Sequence, residues 1–308
     1  MSLEGISDGV GRYAVLAIDH RDSLRALLAE TDPRRLPDEE ITALKVQIVR
    51  AVAPEATGVM LEPEYSIPQV PDAGVLPAGV GFLAALEAQG YLADPGAAPT
   101  TVLAGWSVEQ AAASGASAAK LLLPYHPDRP LAGAQEQVAA QVLKECRRVG
   151  LPLVLEPLFY GLDDPRDRTR VVMTTVGRFA GLNPDLLKLP FPVDPGVDDD
   201  EEHWFAACRT ITEMIPMPWV LLSGGGPFEG FSRQLTVAHD AGCSGFMVGR
   251  ALWAEAARAK PEARAGVLET LVRPRMRRLH AIIDTPRHAH DIGGRGIGGR
   301  DIGGPRRG

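Results

Sequence analysis

The sequence predicts an α/β protein, a single-domain (β/α)₈ TIM barrel. Three observations lead there. Eight short apolar runs alternate with longer segments of helical period. Most of the runs are apolar at successive positions rather than at every second one, the pattern of parallel strands covered on both faces. No Gly-x-Gly-x-x-Gly turn follows the first run, which weakens an open doubly wound sheet as the alternative.

In chain order the predicted strands are Tyr13–Asp19, Gly58–Pro63, Thr101–Trp106, Ala118–Tyr125, Leu151–Leu158, Asp185–Val193, Trp219–Gly224 and Gly245–Trp253. The segments between them are amphipathic. Asp38-Glu39-Glu40-Ile41 opens one, with Leu44, Ile48 and Val49 on its apolar face. Ala132–Val149 sets Val138, Val142 and Val149 against Lys144, Glu145, Arg147 and Arg148. Phe228–Ala241 begins with an acidic residue at Glu229 and stops at Gly242. Strands that alternate with helices imply a parallel sheet, and eight such units favour its closure into a barrel. The barrel is expected over residues 1–284. Residues 285–308 are Gly- and Arg-rich, with an Ile-Gly-Gly-Arg-like repeat, and read as a disordered tail.

The bulk properties exclude several classes. The 308 residues are 45% hydrophobic and 23% charged, ordinary for a protein with a large buried core. There are 39 acidic against 32 basic residues, a formal charge of −7. No global positive excess is available to displace counterions, so no nucleic-acid partner is expected. No apolar run is long enough to span a bilayer, and no secretory leader is read at Met1–Arg12, so no membrane partner is expected. Cys146, Cys208 and Cys243 are far apart and read as buried thiols in a reducing compartment. The expected location is cytoplasmic.

Five charges sit late in predicted strands: Asp19, Glu62, Lys120, Glu156 and Lys188. An unpaired ion in an apolar strand is costly. Active sites of such barrels lie at the C-terminal ends of the strands, so the five are expected to converge on one mouth. Lys188, in Asp185-Leu-Leu-Lys-Leu-Pro-Phe-Pro192, lies among apolar neighbours that disfavour its ammonium form. A neutral amine there can attack a ketone and form an imine, an electron sink for breaking the adjacent C–C bond. Glu156 comes from the preceding strand, close enough to move protons for that chemistry. Lys120 is the rival for the imine lysine, and spacing alone leaves the two nearly even. Two Gly-rich turns, Ser223-Gly224-Gly225-Gly226 and Gly249-Arg250, follow the last two strands, where barrels of this kind bind phosphate. Arg250 adds a forked donor suited to phosphate or sulfonate.

Leu16–Leu24, Leu61–Tyr65, Ala119–Leu123, Leu187-Lys188, Leu222–Gly224 and Ala241–Trp253 together resemble the class I aldolases of the tagatose-1,6-bisphosphate aldolase group. That group includes the aldolase of 6-deoxy-6-sulfofructose 1-phosphate. The similarity runs from about Tyr13 to Ile283. It implies an aldehyde-lyase that splits a ketose phosphate into dihydroxyacetone phosphate and a three-carbon aldehyde without metal or cofactor. It assigns the imine to Lys188, acid/base work to Glu156, a further catalytic place to Lys120, and contacts with substrate hydroxyls to Asp19. Ser223, Gly224, Gly249 and Arg250 are implied as anion binders, and His20 as a substrate contact. The implied partner is a small sugar phosphate, and the implied assembly a homodimer or homotetramer. The chain departs from the group at His20, where Gln is usual, at Pro190, where Glu is usual, and in its Ser-Gly-Gly-Gly turn.

Two other functions fit the same barrel. A metal-dependent lyase or isomerase would use His20, Glu62, His126 and Glu156 as ligands, although no His-x-His or His-x-x-x-Glu spacing fixes a coordination geometry. A noncatalytic phosphosugar sensor would bind without turnover.

Overall fold

The computed structural model describes residues 1–30, 36–91 and 94–287. Eight parallel strands close into a barrel in chain order, with the last paired to the first. They are β1 (Tyr13–Ala17), β2 (Gly58–Leu61), β3 (Gly81–Ala85), β4 (Ala118–Tyr125), β5 (Leu153–Phe159), β6 (Leu186–Leu189), β7 (Trp219–Leu222) and β8 (Gly245–Val248). The helices are α1 (Asp22–Ala29), α2 (Asp38–Val52), α3 (Gln69–Asp72), α4 (Val108–Ala113), α5 (Ala132–Val149), α6 (Arg168–Ala180), α7 (Glu201–Met214), α8 (Phe228–Asp240), α9 (Arg250–Arg258), α10 (Pro261–Val267) and α11 (Arg273–Asp284). The predicted (β/α)₈ barrel is the fold observed.

Two apolar layers hold it. Strand residues of one parity, among them Val15, Met60, Leu83, Val154, Leu186, Val220 and Met247, fill the barrel interior. Residues of the other parity, among them Leu16, Val59, Leu121, Leu155, Leu187, Leu221 and Val248, pack outward against the helices. This is the strand period of two, applied to a sheet buried on both faces. Leu3 and Ile6 join the interior layer from the N-terminal segment. Interior parity also governs the charges: Lys120 follows Ala118, Glu156 follows Val154 and Lys188 follows Leu186, each two residues further along its strand.

One strand lies elsewhere than predicted. The third strand is Gly81–Ala85, not Thr101–Trp106. The latter is loop, joined to the sheet by a single bridge between Glu87 and Val102. Gly81-Phe-Leu-Ala-Ala-Leu-Glu is rich in good helix formers, so its local preference pointed away from a strand. Tertiary contact decides otherwise. A Cβ at Gly81 would lie 2.3 Å from the Gly5 carbonyl oxygen, so this strand can begin there only on a glycine. The last predicted run, Gly245–Trp253, divides into β8 and the opening of α9.

The predicted tail, residues 285–308, falls from His288 onward outside the described residues. Thr285 and Arg287, at its start, are bonded to the barrel. The Thr285 carbonyl meets His239 Nε2 at 2.9 Å, and Arg287 Nε donates to the His239 carbonyl at 3.1 Å.

Candidate active site

The C-terminal ends of the strands bring most of the predicted residues together. Lys188, on β6, is 5% exposed. Its Nζ lies 2.8 Å from Glu156 Oε2, on β5. Its other close neighbour is the Met60 sulfur, at 4.0 Å. Lys188 is thus an amine in an apolar setting with one carboxylate at hand, the surroundings expected from its flanking Leu, Pro and Phe.

Lys120 is placed differently. Its Nζ lies 2.8 Å from Asp19 Oδ2, 2.6 Å from Glu87 Oε1 and 3.2 Å from Glu156 Oε2. Burial opposes its charge, but Asp19, Glu87 and Glu156 together hold the ammonium well above the usual lysine range. Burial would likewise raise Asp19. The Lys120 ammonium overcomes that, with Lys188 adding to it, and keeps the carboxyl far below its usual range. The rival lysine is therefore locked in its charged form among three carboxylates.

A cavity of about 150 Å³ opens on this cluster. Lys188 and Glu156 line it, as do His20, Ser223, Gly224, Gly249 and Arg250. Asp19 and Lys120 are not part of its lining and lie just beneath, linked through Glu156. The predicted anion cradle is built from the two turns. The Gly249 N–H donates to Ser223 Oγ at 3.4 Å. Arg250 begins α9, and a Cβ on Gly225 would come within 3.1 Å of its Nη2. The buried Nε of Arg250 has no hydrogen-bond partner among the described residues. A cationic fork, a serine hydroxyl and two Gly-rich turns suit a phosphate or sulfonate.

His20 stacks edge-on against Trp253, ring centroids 5.2 Å apart. A Cβ on Gly249 would lie 2.6 Å from its Cε1, so the glycine admits the ring. Burial pushes the imidazole down to about 3, against the pull of Asp19 3.7 Å away, with Arg250 and Lys188 adding to the fall. It is therefore neutral at neutral pH. Its buried Nδ1 has no hydrogen-bond partner among the described residues and faces Asp19 Oδ1 at 3.7 Å.

Glu62 is the charge that leaves the mouth. β2 ends at Leu61, and Glu62 pairs instead with Lys45 on α2 at 2.5 Å, both fully buried. It also accepts the N–H groups of Glu64 and Tyr65 and the Ser66 hydroxyl. Breaking such a pair strands a buried charge. Lys45→Met is expected to lower the unfolding free energy by about 3–5 kcal/mol, read from urea denaturation. A loss below about 1 kcal/mol, the scale of a surface pair, would show that the pair holds nothing together.

Sequence reasoning missed Glu87, which is 1% exposed and also accepts the Leu122 N–H at 3.1 Å. Its signal was present, a charge at the end of the apolar run Phe82–Leu86, but that run was not read as a strand. Arg21, buried beside it, donates to the Glu87 carbonyl at 2.7 Å and to Glu64 at 2.6 Å. Tyr91 and Ser23 also line the cavity and carried no sequence signal. The four residues weighed as metal ligands do not assemble: no group of three His, Cys, Asp or Glu suited to a metal occurs among the described residues. His126 accepts the Asp128 N–H and faces Tyr160.

Comparison with known proteins adds to this geometry. A family model described as DeoC/LacD family aldolase matches residues 13–255. A tagatose 1,6-diphosphate aldolase of Streptococcus agalactiae is 30% identical, over 82% of this chain and 84% of its own. One from Staphylococcus haemolyticus is 29% identical, over 83% and 85%. Two solved structures share the fold. An archaeal fructose-1,6-bisphosphate aldolase, solved with its catalytic lysine bound to a carbinolamine intermediate, superimposes with a TM-score of 0.62 at 19% identity, covering 91% of this chain and 97% of its own. A Plasmodium falciparum fructose-bisphosphate aldolase does so with a TM-score of 0.68 at 14% identity, covering 91% and 92%.

Proposed function

The chain belongs to the DeoC/LacD aldolase family, and on that premise we propose that it cleaves a ketose 1-phosphate through a Schiff base on Lys188. One observation carries the reading. Lys188 stands in a cavity with an anion cradle, beside a single carboxylate, while Lys120 is held by three.

Glu156 takes the ammonium proton of Lys188, and the freed amine attacks the C2 ketone of the substrate. Glu156 then returns a proton to the carbinol oxygen, which leaves as water. The resulting iminium draws the electrons of the C3–C4 bond as that bond breaks, while Glu156, ionised again, takes the C4 hydroxyl proton, which releases the aldehyde and leaves that proton for C3 of the enamine. Protonation of the enamine at C3 and hydrolysis release dihydroxyacetone phosphate. Asp19, kept ionised by Lys120, is a fixed acceptor for substrate hydroxyls. Lys120 fixes Glu156 and Asp19 in place. His20, neutral, is a further substrate contact in the cavity wall. Ser223, Gly224, Gly249 and Arg250 hold the C1 phosphate.

The substrate class is a ketose phosphate like tagatose 1,6-bisphosphate or 6-deoxy-6-sulfofructose 1-phosphate. The relatives named for the first favour it. We read the reaction as cytoplasmic and the assembly as a homodimer or homotetramer. Among the described residues no helix is long and apolar enough to cross a membrane.

The test is release of dihydroxyacetone phosphate from a panel of ketose 1-phosphates, followed by coupled reduction. Silence across the panel would overturn the reading. In the same assay Arg250→Ala is expected to raise KM about 10- to 100-fold, the loss of one charge-assisted contact, with kcat changed much less. An equal fall in kcat at saturation would remove Arg250 from the role of a simple anion anchor.

A further inference from the structure

Around Lys188 the site offers the hydroxyls of a sugar several acceptors and few donors. Glu156 and Asp19 are carboxylates, which only accept when ionised. Lys120 directs its ammonium at Asp19, Glu87 and Glu156, one N–H for each. Lys188 is taken up in the imine, and Ser223 and Arg250 in the anion cradle. The oxygen on C4 gives up its proton as the C3–C4 bond breaks, and negative charge gathers on it in passing. A fixed donor aimed at such an oxygen lowers the barrier.

Tyr91 is placed to be that donor. Beyond β3 the chain stays tied to the barrel: the Leu86 N–H donates to the Lys120 carbonyl at 2.9 Å, Glu87 bridges to Val102, and the Ala88 N–H donates to the Thr101 carbonyl at 2.8 Å. It then turns at Gly90, whose φ of 102° favours glycine. Tyr91 follows and joins Lys188 and Glu156 in the wall of the catalytic cavity. It also lines a separate cavity of about 230 Å³, so it stands between the two. Burial pushes its phenol up, and Glu87, Asp19 and Glu156 add to the rise against the Lys120 ammonium. The hydroxyl thus keeps its proton at neutral pH, in the field of the same four charges that meet at Lys120. It forms no hydrogen bond among the described residues.

The barrel sets its direction. In a closed ring of eight strands the third stands opposite the seventh. Tyr91 therefore faces the Ser223-Gly224 turn from across the mouth. A substrate with its C1 phosphate in the cradle and C2 on Lys188 runs outward from the cradle, toward the Tyr91 side. Ser23 also carries a hydroxyl on the cavity wall, but it lies on α1, after β1, the strand paired with β8 of the cradle.

We propose that Tyr91 is a catalytic residue whose phenol donates a hydrogen bond to the C4 oxygen while the C3–C4 bond breaks. The proton stays on Tyr91, and Glu156 remains the base. The same bond polarises the aldehyde carbonyl when the reaction runs in reverse. The proposal rests on the reading of Lys188 as the imine lysine.

The test is Tyr91→Phe in the full-length protein, which keeps the ring and removes only the hydroxyl. The kcat for the ketose 1-phosphate cleaved fastest in the panel is expected to fall about 10²–10³-fold, the value of one donor to a developing oxyanion. KM is expected to change much less, because the bond strengthens only in the transition state. Dihydroxyacetone phosphate has no C4, so borohydride should trap it on Lys188 at the wild-type rate in the variant. Trapping that slows in step with cleavage makes the hydroxyl a structural group and overturns the proposal. A kcat within about threefold of wild type, far short of a lost oxyanion donor, overturns it too. Wild-type protein that traps nothing removes the imine reading beneath it, whereas normal trapping with unchanged cleavage removes Tyr91 alone.

Discussion

Lys188→Met is expected to abolish both turnover and covalent trapping. Dihydroxyacetone phosphate with borohydride should reduce the imine in the wild-type protein, inactivate it irreversibly and add mass to the peptide carrying Lys188. The methionine variant should take up no mass. Its kcat should fall by roughly 10⁵-fold, the scale of losing a covalent nucleophile. The fold is expected to tolerate the change. Methionine is close to lysine in length, and the Met60 sulfur and the cavity-lining Leu122, Leu222 and Met247 give it apolar neighbours. Glu156 keeps an ion partner in Lys120, at 3.2 Å. Mass on the Lys120 peptide instead, or label retained in the variant, would falsify the assignment.

The second large effect is expected at Glu156. Glu156→Gln keeps the size of the side chain and removes its charge and its capacity to exchange a proton. Turnover should fall by about 10²–10⁴-fold, the contribution of one positioned acid/base group. Formation of the trapped imine should slow as well, because Lys188 loses the only carboxylate in contact with it among the described residues. Lys120 retains Asp19 and Glu87, so the cluster beneath the cavity should hold together, which thermal unfolding of the variant would check. A kcat within about threefold of wild type, far short of a lost acid/base group, would pass the proton transfers to another residue.

Much of this was legible in the sequence because a barrel strand is a strict environment. Charges are so costly inside it that Asp19, Glu156, Lys120 and Lys188 stood out against their apolar neighbours. The same reasoning misplaced Glu62. Past the end of β2 its carboxylate is taken by Lys45 of α2 and by the N–H groups of Glu64 and Tyr65. Glu87 was hidden for the converse reason. Its strand is spelled in helix-forming residues and begins on a glycine that the Gly5 carbonyl requires, a contact between segments distant in sequence. The choice between Lys120 and Lys188 was also beyond spacing. It turns on how many carboxylates reach each amine, and one of them was the unseen Glu87.

The pairing of β1 with β8 has a consequence in time. Tyr13 lies beside Gly245, so the sheet closes only when the chain's first and last strands meet. Asp19 follows the first of these strands, and Gly249 with Arg250 follows the last. Contacts between residues so far apart in sequence are the slowest to form. A chain without β8 lacks both the Gly249-Arg250 half of the cradle and the Gly249 surface against which His20 rests. The residues of the site are thus brought together only in a closed barrel, because they follow both of the strands that close it.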